Sequence, residues 1–313
     1  MALKFTGFVP PSERIHTGFY SLDHALEDNR GNIGLPYWGI QIYGREKIGK
    51  TTICCSLAAI LANKLETNVA FASVEYVNSV LIEDALTHQN FLQSWHYVER
   101  EDEKGNRDAD AVLLDNLVDD MTSPNFRVCI FDAIGSVRST YEEASSHGEA
   151  NFGRRAFLMG QHARKMSNVF RKKIKDGTPA LGFYINHVHQ GMGHYGDVIP
   201  GGRTITYIIN VHLKMKQEKV WDDGSYLLSG KVVKSNICPN GKEFTLFAIG
   251  GLGLDKNMSA LYDCINIGLI KEGAWLDLGM EKKLRLNDVL EKAKEKDDEF
   301  FEPVHAMLEN YTP

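Results

Sequence analysis

The chain has 313 residues, 43% of them apolar, enough to fill a sizeable core as one large domain or as a main domain with a smaller companion. A formal charge of −6 excludes a protein coated in positive potential, so any contact with nucleic acid has to come from a local basic patch. Five cysteines without a C-x-x-C pair, and no apolar stretch of signal-peptide or membrane-spanning length, exclude a disulfide scaffold and a membrane partner and point to the cytoplasm.

The first apolar run, 38–43 (WGIQIY), predicts a strand. It leads into Gly44-Arg45-Glu46-Lys47-Ile48-Gly49-Lys50-Thr51, a full match to G-x-x-x-x-G-K-[ST], and then into an Ala- and Leu-rich segment that predicts a helix over 51–65. A strand before and a helix after make this string a phosphate-binding loop. Gly44 and Gly49 let the backbone turn so that successive N–H groups point inward, Lys50 reaches the outer phosphates, and the Thr51 hydroxyl ligates a magnesium ion. Residues 44–52, ending at Thr52, form the candidate nucleotide site.

A second strand is predicted at 69–74 (VAFASV), and Glu75 stands at its C-terminal end, where it would face a γ-phosphate as the general base for water. Amphipathic spacing predicts helices over 79–94 and 108–121. The run 127–131 (RVCIF) predicts a strand that delivers Asp132 beside the phosphate-loop strand to orient the metal and its waters. Basic residues then concentrate from Arg138 to Lys175, including Lys173, within and before a long helix predicted at 152–175. The end of that run fits compensation of the helix dipole. Arg138, Arg154, Arg155, Arg164 and Lys165 are instead candidates for a track of DNA-phosphate contacts.

A strand predicted at 180–186 ends in Asn186-His187, placing an imidazole where it can sense the γ-phosphate. The following glycine-rich loop, 188–203, carries His189, His194, Gly201, Gly202 and Arg203, a polar segment suited to a ligand-gated contact. Zinc is disfavoured there, because no Cys or acidic ligand stands at compact spacing. A strand at 206–213 completes an alternation that predicts a mostly parallel sheet flanked by helices. Asp223-Gly224 and Asn240-Gly241 then sit between β-rich runs and predict antiparallel hairpins that extend the sheet. From about 255 the chain turns helical, interrupted by a short strand-like GAWLDLG, which predicts a small C-terminal α+β domain.

The joint order of these parts resembles the RecA recombinase family, including its phage UvsX-like members. RIHTGFYSLDHAL is similar to the family's lead-in, FASVE to its catalytic-glutamate strand, and RVCIFDAIGSV to its metal-supporting strand. GRRAFLMGQHARKM resembles the helix after the first DNA loop, and FYINHVHQGMGHYGDVIPGGRTITYIINVHLKM the sensor strand and second DNA loop. GKVVKSN and LYDCINIGLIKEGAWLDLG resemble the subunit-interface strand and the C-terminal region.

The resemblance implies a RecA-like core over 14–254, preceded by an oligomerisation segment at 1–13 with Phe5 or Phe8 as anchor, and a C-terminal domain over 255–313. It implies ATP and Mg2+ as ligands, single- and double-stranded DNA as partners, self-assembly into a filament or ring, and help from loader or ssDNA-binding proteins in a bacterial cell. Lys50 and Thr51 would hold phosphates and magnesium, Glu75 would activate water, Asp132 would support the metal, and His187 would be the γ-phosphate sensor. Lys234 matches a cation inserted into a neighbour's active site. Two departures stand out: the second such cation falls on the neutral Asn236, and the adenine-stacking aromatic falls on Ile82. The function implied is a DNA-dependent ATPase that forms filaments on ssDNA and catalyses homologous pairing and strand exchange, the alternative being an ATP- and DNA-binding mediator without exchange activity.

Overall fold

A computed structural model describes residues 13–99, 109–138, 152–190, 197–198, 205 and 208–311. Near the N-terminus β1 (Arg14–Ile15) pairs antiparallel with β2 (Leu35–Pro36) around α1 (Tyr20–Ala25). The run expected at 38–43 forms β3 (Gly39–Gly44), followed by α2 (Lys50–Leu65), β4 (Asn68–Ser73), α3 (Ser79–His88), β5 (Trp95–Tyr97) and α4 (Ala109–Thr122). Next come β6 (Phe126–Asp132), α5 (Phe152–Lys175), β7 (Leu181–His187) and a separate two-stranded ladder, β8 (His189–Gln190) with β9 (Asp197–Val198). The chain then builds β10 (Ile209–Val220), β11 (Tyr226–Ser235), β12 (Glu243–Ile249), β13 (Gly253–Asp255), α6 (Lys256–Asn266), α7 (Leu286–Lys294) and α8 (Asp298–Glu309).

Nine strands make one sheet in the order β13-β12-β11-β10-β3-β7-β6-β4-β5. From β10 to β5 every pairing is parallel, and from β10 to β13 every pairing is antiparallel, as the two hairpin turns and the short 250–252 turn between β12 and β13 require. Alternate residues feed opposite faces. Val69, Phe71, Val128 and Ile130 pack with Ile53, Leu57 and Leu61 of α2 on one side. Ala70, Cys129 and Phe131 pack with Leu113 and Leu117 of α4 and Met166 and Phe170 of α5 on the other. Both faces are dry, which is why these strands read as unbroken apolar runs rather than alternating ones.

Three expectations change. The helix expected to reach residue 94 stops at His88, where Asn90 takes a positive φ of 50° and the Asn63 side chain accepts the Leu92 N–H at 2.9 Å. Phe91 and Trp95 then pack edge to face, and the chain enters β5 at the sheet edge. The strand expected at 206–213 runs on to Val220, because β11 pairs with its whole second half. GAWLDLG forms no strand; among the described residues after 255, Leu276 and Leu284 make one isolated bridge, and the rest of the order is helical. These C-terminal helices bury Leu261, Val289, Phe301 and Val304 against Phe247 and Ile249 of β12. No described helix is long and apolar enough to cross a membrane.

Candidate active site

The loop between β3 and α2 owes its shape to its two glycines. A Cβ on Gly44 would lie 2.5 Å from the Met215 carbonyl oxygen, and Gly49 has φ +86° with the Tyr226 hydroxyl where its Cβ would be. Ile48 is buried and pins the loop from below, while Arg45, Glu46 and Lys47 face solvent. Lys50 opens α2 yet is only 5% exposed; its ammonium donates to the carbonyl oxygens of Arg45 at 2.7 Å and Gly44 at 3.3 Å. Burial pushes its pKa down, against the pull of Asp132 and Glu75, so an incoming phosphate offers it a better partner than two carbonyls. Tyr226 of β11 hydrogen bonds the Thr52 side chain, and burial pushes its phenol up to about 12. No local motif connects Tyr226 to the loop; it arrives there only through the sheet.

Asp132 ends β6, but not beside the phosphate-loop strand: β7 lies between β3 and β6. The carboxylate reaches across nonetheless. Thr51 Oγ1 donates to Asp132 Oδ2 at 2.7 Å, and Asp132 Oδ1 is buried without a partner among the described residues. Burial raises Asp132 to about 6, only partly offset by the Thr51 hydrogen bond. A hydroxyl beside an orphaned, desolvated carboxylate oxygen is a donor set that fits a hard cation such as Mg2+. Among the described residues no cluster of three or more His, Cys, Asp or Glu side chains suits a metal, and His189 and His194 of the 188–203 segment have side chains outside the described residues.

Glu75, two residues past β4, meets His187 at the end of β7: Nε2 and Oε1 are 2.8 Å apart. The Ser136 hydroxyl donates to the same Glu75 oxygen. The His187 hydrogen bond is the main cause holding the Glu75 carboxyl below its usual range, helped by Ser136 and Lys50. His187 Nδ1 is buried without a partner among the described residues, and the parallel register sets His187 against Gly44. Lys50, Thr51, Glu75, Asp132 and His187 therefore gather at the C-terminal ends of β3, β4, β6 and β7, where a triphosphate on the loop would lie. Ser136 is a contact that spacing did not reveal, since it lies in a short 3-10 turn, Ile134–Ser136, with no motif of its own.

The basic track is mixed. Arg138, Arg164 and Lys165 are exposed, though Lys165 also pairs with Asp115 at 2.6 Å, a surface contact worth less than about 1 kcal/mol. Arg155 Nη1 donates to the Gly135 carbonyl at 2.9 Å. Lys173 turns inward, donating to the carbonyls of Ser123 and Phe126 after α4, so it leaves the solvated run counted in the sequence. Arg154 lies on α5 with its side chain outside the described residues, as are Gly201, Gly202, Arg203, His194 and the segment 1–12. Lys234 is exposed on β11, separated from β7 by β10 and β3. Ile82 is 3% exposed and serves the core, whereas Tyr76, next to Glu75, is 96% exposed. Of the cysteines, Cys238 is half-buried and the other four are buried.

A sheet with a glycine-bordered lysine loop at its centre and carboxylates at the ends of nearby strands defines the class, an α/β protein of RecA-like fold built on a phosphate loop. Residues 9–254 match the family model of the RecA N-terminal domain, and the chain belongs to the RecA family. It is similar to the protein RecA of Ruminococcus albus, 28% identical over 285 residues, covering 84% of this chain and 64% of that protein. It is also similar to the protein RecA of Acholeplasma laidlawii, 27% identical over 281 residues (86% and 78%), and to that of Symbiobacterium thermophilum, 28% identical over 284 residues (85% and 74%). The chain thus spans a little under two thirds of the length of the Ruminococcus relative.

Proposed function

We propose that this protein is an ssDNA-dependent ATPase that assembles on single-stranded DNA and catalyses homologous pairing and strand exchange in recombination and repair. The observation that carries this reading is the convergence of Lys50, Thr51, Asp132, Glu75 and His187 around one end of β3 in a chain of the RecA family. Lys50 and the backbone of residues 44–52 bind the phosphates of ATP, and Thr51 and Asp132 hold Mg2+, which neutralises phosphate charge when bound. Glu75 takes the proton of the attacking water, and His187 reads the γ-phosphate and passes its presence to the 188–203 segment.

Arg138, Arg154, Arg155, Arg164, Lys165 and Arg203, with the backbone of Gly201 and Gly202, supply sequence-tolerant phosphate contacts. Lys234 of one subunit reaches the nucleotide of the next in a filament or ring. His187, where cellular members of the family usually carry glutamine, favours a phage-type, UvsX-like member acting in the bacterial cytoplasm, with loader or ssDNA-binding proteins as further partners. The 1–13 segment docks on the neighbouring subunit, the 14–254 core hydrolyses ATP, and residues 255–313 form a small C-terminal domain.

The neutral Asn236 favours a second reading, a mediator that binds ATP and DNA without exchanging strands. ATP turnover measured with and without ssDNA tests the first reading, which fails if DNA leaves turnover unchanged. Joint molecules that form only with homologous duplex remove the mediator. Lys50→Ala is expected to abolish nucleotide binding in a fluorescent-ATP titration. Glu75→Gln is expected to keep ATP binding while turnover falls by about 100-fold or more, the usual scale for losing a general base.

A further inference from the structure

Two hydrogen bonds tie the Ile134–Ser136 turn to its surroundings, and a third holds the backbone just past it. Ser136 Oγ donates to Glu75 Oε1, the oxygen that also meets His187 Nε2 at 2.8 Å. On the other side Arg155 Nη1 donates to the Gly135 carbonyl at 2.9 Å. Just beyond the turn, the Arg138 N–H donates to Asp110 Oδ2 at 2.5 Å. One short turn therefore touches the carboxylate at the nucleotide site and, within one residue, an arginine of the basic track.

Two donors on Glu75 Oε1 matter for a general base, because they lower the basicity of the carboxylate and leave Oε2 to meet the attacking water. A phosphate is a stronger partner for a guanidinium than a neutral peptide carbonyl is. DNA that draws the Arg155 guanidinium toward a phosphate therefore pulls on its bond to Gly135, the residue next to Ser136.

We propose that Ser136 is a positioning residue that latches Glu75 against this turn, and that engagement of Arg155 by a nucleic-acid phosphate loosens the latch, coupling DNA contact to ATP turnover. This rests on Glu75 being the base, as argued above. The coupling runs through the turn after β6 and through α5, and is separate from the route from His187 into the 188–203 segment. Ser136 acts on the reaction only through Glu75, so its loss should alter the dependence on DNA more than the affinity for ATP.

Steady-state turnover with and without ssDNA, on the full chain, tests this for Ser136→Ala, Ser136→Thr and Glu75→Gln. Ser136→Ala is expected to raise DNA-free kcat by about tenfold, the lower end of the scale of one hydrogen bond to a charged group, with KM for ATP unchanged within about twofold. The DNA stimulation ratio should shrink by about the same factor, and Ser136→Thr, which keeps the hydroxyl, should restore it. An unchanged ratio in Ser136→Ala overturns the latch. So does an equal loss of turnover with and without DNA, which would make Ser136 a plain support for the base. If Glu75→Gln turns over like the parent, the assignment of the base itself falls and the latch with it; if Glu75→Gln is inactive and the Ser136→Ala ratio is unchanged, only the latch falls.

Discussion

Single residues decide the chemistry here through what they exclude as much as through what they contact. Gly49 stands at φ +86° with the Tyr226 hydroxyl in the space of a missing Cβ, so neither the backbone nor the neighbour accepts a side chain. Gly49→Ala is expected to weaken ATP binding by at least about tenfold and to lower Tm, read by nucleotide titration and thermal melting. Gly49→Ala with Tyr226→Phe should recover little, because the positive φ remains. The loop was legible in the sequence because its function is written in the local backbone: glycine, glycine, lysine and threonine at fixed offsets. Glu75 and Asp132 were legible as carboxylates ending apolar runs. The 2.8 Å contact between His187 and Glu75, 112 positions apart, and the approach of Tyr226 to Thr52 carried no such signal.

At the scale of elements, buried polar groups set the seams. Asp263 of α6 is 3% exposed and accepts the Ser21 N–H of α1 at 3.1 Å, and burial pushes its carboxyl up to about 7. A carboxyl raised in the folded state favours folding while protonated and loses that contribution as pH climbs from about 4 to about 7. Asp263→Asn keeps an oxygen for Ser21 without the charge. It is expected to raise Tm by roughly 2–4 °C at pH 8 and by less at pH 5. Melting curves at the two pH values check this, and equal shifts would remove the titration argument. Helix α5 shows the same interplay of pattern and environment. Met159, Ala163, Met166 and Phe170 recur at helical spacing toward the core, yet Lys173 breaks the polar face to satisfy carbonyls behind α4. The helix expected over 79–94 fails for a related reason: its apolar period continues into Phe91 and Trp95, but those rings find the core from a turn and an edge strand.

Over the whole molecule, DNA binding by an acidic chain through a few arginines, as proposed above, should be weak unless something orders them. The expected outcome is ssDNA affinity that rises at least about tenfold with a slowly hydrolysed ATP analogue relative to ADP, and that falls steeply with salt, measured by fluorescence anisotropy. Equal affinity in both nucleotide states would detach the loop from the DNA track. Electron microscopy of the same complexes distinguishes a filament from a closed ring. By itself the amino-acid order determined the phosphate loop, the α/β alternation and the two hairpin turns, because each depends on neighbours in the chain and on burial that leaves an apolar run. Only the tertiary structure decided that β7 separates Asp132 from the phosphate-loop strand, that Glu75 rests between His187 and Ser136, and that Arg155 grips the turn carrying that serine. Strand order and side-chain meetings between distant segments arise from how whole faces pack, and local periodicity holds no record of which parallel strand becomes whose neighbour.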